Sequence, residues 1–134
     1  MKLVRNSKNP VLSPTHNTWE NKSVFNCGVF EYQGRIHLLY RATGVDGISR
    51  FGLAKLNGMA EISERTTKPI FEPDPDSEYE TLGVEDPRVV KVKDAYYIVY
   101  VGASYYPPVV AENKSSSKQW RVRVTLAHTF DFRT

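Results

Sequence analysis

The chain has 134 residues, 40% hydrophobic and 25% charged, with a net charge of +3. That composition fits at most one ordinary globular domain, and the charge is too mild and too scattered to argue for nucleic acid. A single cysteine excludes an internal disulfide framework and any CxxC metal or redox motif. No apolar run approaches the roughly 18 residues needed to span a bilayer. The opening Met1-Lys2-Leu3-Val4-Arg5-Asn6 has no apolar signal core, so a cytoplasmic protein with no membrane partner is expected.

The first strand-like run is Val29-Phe30-Glu31-Tyr32, and Arg35-Ile36-His37-Leu38-Leu39-Tyr40 follows it. Both are short, rich in β-branched and aromatic residues, and bounded by turn residues. Tyr32-Gln33-Gly34-Arg35 joins them as a hairpin with glycine in the turn. His37 alternates with apolar neighbours and is expected on the wetter face. Ser49 to Lys55 reads as a third strand. Asp74 to Glu80 is an acidic, proline-broken loop, expected to be solvated. Val89 to Val92 and Tyr96 to Tyr100 form a second hairpin around Lys93-Asp94-Ala95, and Arg121 to His128 follows as its third strand. No stretch keeps a helical apolar period over three turns, so few or no helices are predicted.

The two halves repeat each other. A shift of 60 puts Val24 on Val84, Asn26 on Asp86, Val29 on Val89 and Tyr40 on Tyr100 without a gap. Beyond that the shift is 73, from Leu53 to Leu126, so the second unit carries 13 extra residues within 105–118, read as a surface insertion. Short strands in repeats of this length suggest propeller blades of four strands each; a sandwich of two similar hairpins is the alternative. The domain expected over 1–134 therefore holds blade-like units at about 20–75 and 80–134.

Gly83-Val84-Glu85-Asp86-Pro87-Arg88 is the densest chemical cluster. Pro87 restricts Asp86 and fixes the chain's exit direction. A proton-donating carboxyl there benefits from a raised pKa, which burial or Glu85 would supply. Adjacent strand residues point to opposite faces, which weakens that coupling. The alternative is a structural cap in which Arg88 pairs with Glu85 or Asp86. Asn26 occupies the matching place in the first unit, and equivalent blade positions face one channel. It either holds sugar hydroxyls or makes an Asx turn. Arg41 ends an apolar strand where the repeat has Val101, so packing does not demand its charge. Cys27 with His16, His37 and His128 has no metal spacing, and the thiol is expected to be packed. Tyr105, Tyr106 and Trp120 are aromatic candidates for stacking on sugar rings.

Taken in order, Asn9-Pro10-Val11-Leu12, Trp19-Glu20, Val24-Phe25-Asn26-Cys27-Gly28, Leu38-Leu39-Tyr40-Arg41, Gly83-Val84-Glu85-Asp86-Pro87-Arg88 and Leu126-Ala127-His128-Thr129-Phe130-Asp131-Phe132 resemble the N-terminal part of glycoside hydrolase family 130. These are β-mannoside phosphorylases and related glycosidase-like proteins. The resemblance covers essentially the whole chain. It implies an all-β fold, part of a five-bladed β-propeller. It implies Asp86 as the catalytic proton donor, with the proton passing through a sugar hydroxyl in the phosphorylases. Asn26, Cys27, Arg41, Glu85 and Arg88 would bind substrate; position 27 is often Ser in relatives, and cysteine is a poorer donor. The implied reaction is inverting phosphorolysis of a β-mannoside to α-mannose 1-phosphate. No metal or cofactor is implied; inorganic phosphate is co-substrate, held in the family by Arg, Lys, His and Tyr residues of later blades.

At 60 to 73 residues per blade, 134 residues make about two. A truncated enzyme, an assembly of several copies, or a chain lacking a C-terminal partner would each follow, with little activity expected from the chain alone. The alternatives in function are a non-catalytic carbohydrate-binding or self-assembling remnant, and a β-mannoside hydrolase of the same family.

Overall fold

The computed structural model describes residues 1–58, 60–106 and 119–133. Seven strands form: β1 (Ser23–Tyr32), β2 (Arg35–Thr43), β3 (Ser49–Asn57), β4 (Glu61–Arg65), β5 (Gly83–Val92), β6 (Ala95–Tyr105) and β7 (Trp120–Thr129). No helix occurs among the described residues. β1 to β4 make one antiparallel meander and β5 to β7 a second. The β1–β2 turn puts Gln33 and Gly34 at φ +50° and +69°, the left-handed pair that matches strand twist in a two-residue hairpin. β4 was not anticipated: Glu61-Ile62-Ser63-Glu64-Arg65 is too polar to read as a strand, and it pairs only along the outer edge of β3. Most of the expected insertion lies outside the described residues; Tyr105 ends β6, and Tyr106 follows it.

The two units join through packing more than through a ladder. A single parallel pair, Ser49 with Gly83, links β3 to β5. The shared core sets Phe30, Leu39 and Phe51 of the first unit against Val84, Tyr96, Ile98 and Tyr100 of the second. Each such side chain contributes roughly 1.5–3 kcal/mol over leaving it in water. A second cluster covers the other face of the first unit, where Trp19, Val11 and Leu12 pack on Leu38, Tyr40, Ala42, Ala54 and Leu56. In the second unit, the face corresponding to Leu39 and Phe51 is exposed at Val99, Val122, Val124 and Leu126.

Each unit buries one glutamate against one tyrosine. Tyr40 Oη donates to Glu20 Oε2 at 2.9 Å, and Tyr100 Oη donates to Glu80 Oε1 at 2.8 Å. Glu20 also accepts from Thr15 and Asn17, and Arg65 closes the pair at 2.6 Å from Oε2 and 3.0 Å from Tyr40 Oη. Burial and the neighbouring carboxylate push both phenols up to about 12. The loop from Asp74 to Glu80, expected to be solvated, thus buries its last residue, because Glu80 must reach Tyr100. His37, expected on the wetter face, is buried and stacks on Phe30 at 5.6 Å.

Two outcomes test this junction. Gly83 has φ +128°, and a Cβ there would lie 2.5 Å from Ser49 N and 2.6 Å from Ser49 O. Gly83→Ala should cost at least about 2 kcal/mol in urea unfolding, since both backbone strain and a backbone clash oppose it. Tyr40→Phe should cost about 1–2 kcal/mol, lowering the urea midpoint without changing the slope, because Glu20 and Arg65 each lose a buried partner.

Candidate active site

Asn26 and Asp86 occupy matching β-bulges. The β1–β2 register slips between Phe25 and Cys27, and the β5–β6 register slips between Glu85 and Arg88. The bulged residues have left-handed backbones, φ +43° at Asn26 and +53° at Asp86. Asn and Asp tolerate that conformation better than other non-glycine residues. Pro87 does keep Asp86 out of the right-handed α region, as expected, but the residue turns left-handed instead of extended. A bulge re-aims its side chain. Here the two bulges bring Asn26 Nδ2 to 2.8 Å from Asp86 Oδ1, a hydrogen bond spanning 60 positions of sequence.

Arg41, at the end of β2, reaches the same carboxylate. Its Nη1 donates to Asp86 Oδ1 at 3.0 Å and its Nη2 to Glu85 Oε1 at 2.5 Å. Its Nε donates to Ser49 Oγ at 3.0 Å, and its guanidinium lies 4.6 Å from the centre of the Phe25 ring. One cation therefore faces two carboxylates. The alternation rule would have put Glu85 and Asp86 on opposite faces; the bulge at Asp86 breaks the alternation and lets one guanidinium take both. Both donors to Asp86 converge on Oδ1. Asp86 is about a third exposed, and among the described residues no side chain donates to its Oδ2.

Burial works to raise the Asp86 carboxyl, but the hydrogen bonds from Asn26 and Arg41 and the charges of Arg41 and Arg88 outweigh it. The pKa is held below its ordinary value. The raised pKa expected of a proton donor is thus not what Asp86 has, because the donors on Oδ1 stabilise the ionised form.

The remaining expected residues separate. Glu85 is buried, and its Oε1 is occupied by Arg41 and Ser49. Arg88 pairs with neither carboxylate; it donates to the carbonyls of Pro87 at 2.9 Å and Asp86 at 3.4 Å. Cys27, expected to be packed, is exposed beside Asn26, since the bulge turns it outward. Tyr105 and Trp120 contact edge to face at 6.0 Å, and Tyr106 lies near Arg121 and Arg123. Ser49 was missed by sequence reasoning. The signal was available: its counterpart under the 73-residue shift is Val122, so a buried hydroxyl there departs from the repeat as Arg41 does. Among the described residues no group of His, Cys, Asp and Glu could hold a metal ion, and no helix is long and apolar enough to cross a membrane.

A family profile described as beta-1,4-mannooligosaccharide phosphorylase matches residues 2–127. The chain belongs to glycoside hydrolase family 130. It is 37% identical over 110 residues to a 1,2-beta-oligomannan phosphorylase of Thermoanaerobacter sp. (strain X514), a match covering 76% of this chain and 36% of that protein. It is 32% identical over 115 residues to a beta-1,2-mannobiose phosphorylase of the same organism, covering 75% and 37%. A solved glycosyl hydrolase of Bacteroides ovatus superposes with a TM-score of 0.75 at 28% identity, over 97% of this chain and 38% of that one. The chain thus spans little more than a third of the length of these relatives. Membership in family 130 identifies the two meanders as parts of a β-propeller, so the all-β expectation holds. The candidate site lies near the start of the first strand of each meander, β1 and β5.

The family 130 chain should titrate accordingly. In a carbon-13 NMR titration, Asp86 should have its midpoint below 3.8, its ordinary value. Asn26→Ala should move that midpoint up. A depressed carboxyl contributes stability above its unfolded pKa that is lost as pH falls through the folded value. Asp86 therefore stabilises the chain at neutral pH; the contribution begins to fall near about pH 4 and is gone only below its folded midpoint. A midpoint above the ordinary value would contradict the observed hydrogen bonding.

Proposed function

We propose that this chain carries the proton-donor side of a β-mannoside phosphorylase site. Asp86 is the acid, and Asn26 and Arg41 hold the sugar next to the scissile bond. The observation that carries the reading is the convergence of Asn26 and Arg41 on one oxygen of Asp86, with no side chain among the described residues donating to the other. A phosphate oxygen attacks the anomeric carbon from the α face as the bond to the leaving sugar breaks. The proton from Asp86 reaches the departing oxygen through a sugar hydroxyl, and α-mannose 1-phosphate is released with inversion. Inorganic phosphate is the co-substrate, and no other cofactor takes part.

Phosphorolysis asks less of the chain's carboxylates than hydrolysis does. An inverting hydrolase needs a second carboxylate to activate water across the sugar ring. Glu85, the neighbouring carboxylate, is buried and bonded to Arg41 and Ser49, so it is not a group that could activate water across the ring. Both curated relatives are named for β-1,2-linked mannosides, whereas the family profile is described by β-1,4 linkage. We take β-1,2 as the first linkage to test.

The test follows the side-chain amide of Asn26 and the guanidinium of Arg41 by NMR while β-1,2-mannobiose, then β-1,4-mannobiose, is added. Both signals should shift with β-1,2-mannobiose. Where phosphate is present and mannose 1-phosphate is formed, Asp86→Asn should cut its formation at least about a hundredfold, the scale of losing a general acid, while sugar affinity changes little. Sugar binding that leaves Asn26 and Arg41 unmoved, or turnover that survives Asp86→Asn, would overturn the assignment.

A further inference from the structure

The guanidinium that steadies Asp86 is itself held from behind. Arg41 Nε donates to Ser49 Oγ at 3.0 Å, Ser49 Oγ donates to Glu85 Oε1 at 3.2 Å, and Arg41 Nη2 donates to the same oxygen at 2.5 Å. The three bonds close a ring. A guanidinium only donates and a carboxylate only accepts, so the one proton of Ser49 goes to Glu85 and its lone pair receives Nε. Ser49 is 2% exposed and Glu85 9%, whereas the Asp86 side chain is 36% exposed. Two N–H edges of Arg41 are thus fixed in the interior, which leaves Nη1 aimed at the open carboxylate.

The ring also balances charge. Arg41 brings one positive charge between two carboxylates. Glu85, as its buried partner, offsets part of the field that Asp86 would otherwise feel. The groups acting on Asp86 are Arg41 from β2, Arg88 from β5 and the uncharged Asn26 from β1, and Glu85 is linked to it through Arg41. With Glu85 absent, nothing else in that set would oppose the two arginines.

We propose that Ser49 and Glu85 are positioning residues: they fix the plane of Arg41 and offset its charge, so that its remaining edge orients one oxygen of Asp86. This rests on the reading of Asp86 as the acid. Neither residue touches the sugar. Glu85, first expected among the substrate-binding residues, acts instead through Arg41.

The two variants should move Asp86 in opposite directions, which a merely structural role would not do. Glu85→Gln keeps the size and an acceptor oxygen but removes the charge, so the Asp86 midpoint should fall by about half a unit or more. Ser49→Ala removes the acceptor for Nε and lets Arg41 turn, so the midpoint should rise toward the ordinary value and the Arg41 Nε–H signal should shift. The measurement is a carbon-13 titration of Asp86 in the chain without substrate, with nitrogen-15 detection of Arg41. An unmoved Asp86 midpoint in Ser49→Ala, or shifts of one sign in both variants, would overturn the proposal. Should Glu85→Gln unfold before Asp86 titrates, Ser49→Ala alone decides. Because no sugar is present, the outcome is independent of mannoside binding. Opposite shifts without binding at Asn26 and Arg41 would sink only the functional reading, and binding without opposite shifts would sink only this one.

Discussion

The Arg41 guanidinium is the point at which the two units meet chemically. It leaves the end of β2, donates to Ser49 at the head of β3, and crosses to Glu85 and Asp86 at the head of β5. Backbone pairing between the units is reduced to Ser49 and Gly83, directly behind that fork. The site and the junction are therefore one construction. The close approach that only glycine allows at position 83 brings β5 near enough for Arg41 to span two carboxylates, and the charge pairing in turn fixes where the second unit starts. An exposed ion pair contributes little, but this one is mostly buried and its donors are satisfied on three edges. Its partners also converge on a bulge, so it aims a side chain as well as holding two units together.

Further from the site, each unit repeats one buried device. Glu20 and Glu80 stand before the first strand of their units, and each accepts from the tyrosine that sits 20 positions on in the second strand. A carboxylate taken out of water is costly unless its oxygens are hydrogen-bonded. Glu20 meets that requirement with Thr15, Asn17, Tyr40 and Arg65, and its pKa is held below the ordinary range although burial pushes the other way. Glu80 meets it with Tyr100 and the backbone N–H of Asp74. The result pins the loop that leads into β1 and the loop that leads into β5. Asn26 and Asp86 follow those loops by six residues, so the two polar bulges start from equivalent anchors.

Much of this was legible in the sequence because it lay in the repeat. The gapless shift that put Asn26 on Asp86 predicted that they would share a site, and they hydrogen-bond directly. The hairpins and the third strand of each unit followed from turn residues and β-branched runs; the repeat left propeller and sandwich open, and the ordered family motifs decided for the propeller. What escaped was whatever depended on a third dimension. Period-two alternation placed Glu85 and Asp86 on opposite faces, and only the bulge, invisible in residue type alone, undid it. His37 and Glu80 looked like surface residues because the aromatic and phenolic partners that bury them are distant in sequence. β4 was hidden because an outer edge strand needs few apolar residues. Ser49 was hidden because a small hydroxyl carries no pattern until its neighbours are known.

The depressed pKa of Asp86 bears on how the proposed acid comes to carry its proton. One carboxylate oxygen of Asp86 receives both Asn26 and Arg41, and the ionised form is favoured. A general acid must carry a proton at the moment of bond cleavage, so the site must become less cationic, or more anionic, when it is loaded. In the proposed reaction both changes have a source. A sugar hydroxyl that takes Asn26 or Arg41 as its own partner removes a donor from Oδ1, and an incoming phosphate adds negative charge nearby, which raises the proton affinity of a carboxyl. In an inverting hydrolase the carboxylate that activates water would supply that charge instead. In the proposed reaction the loading of the site is coupled to the proton on Asp86 through Arg41, which donates to both Asp86 and Glu85.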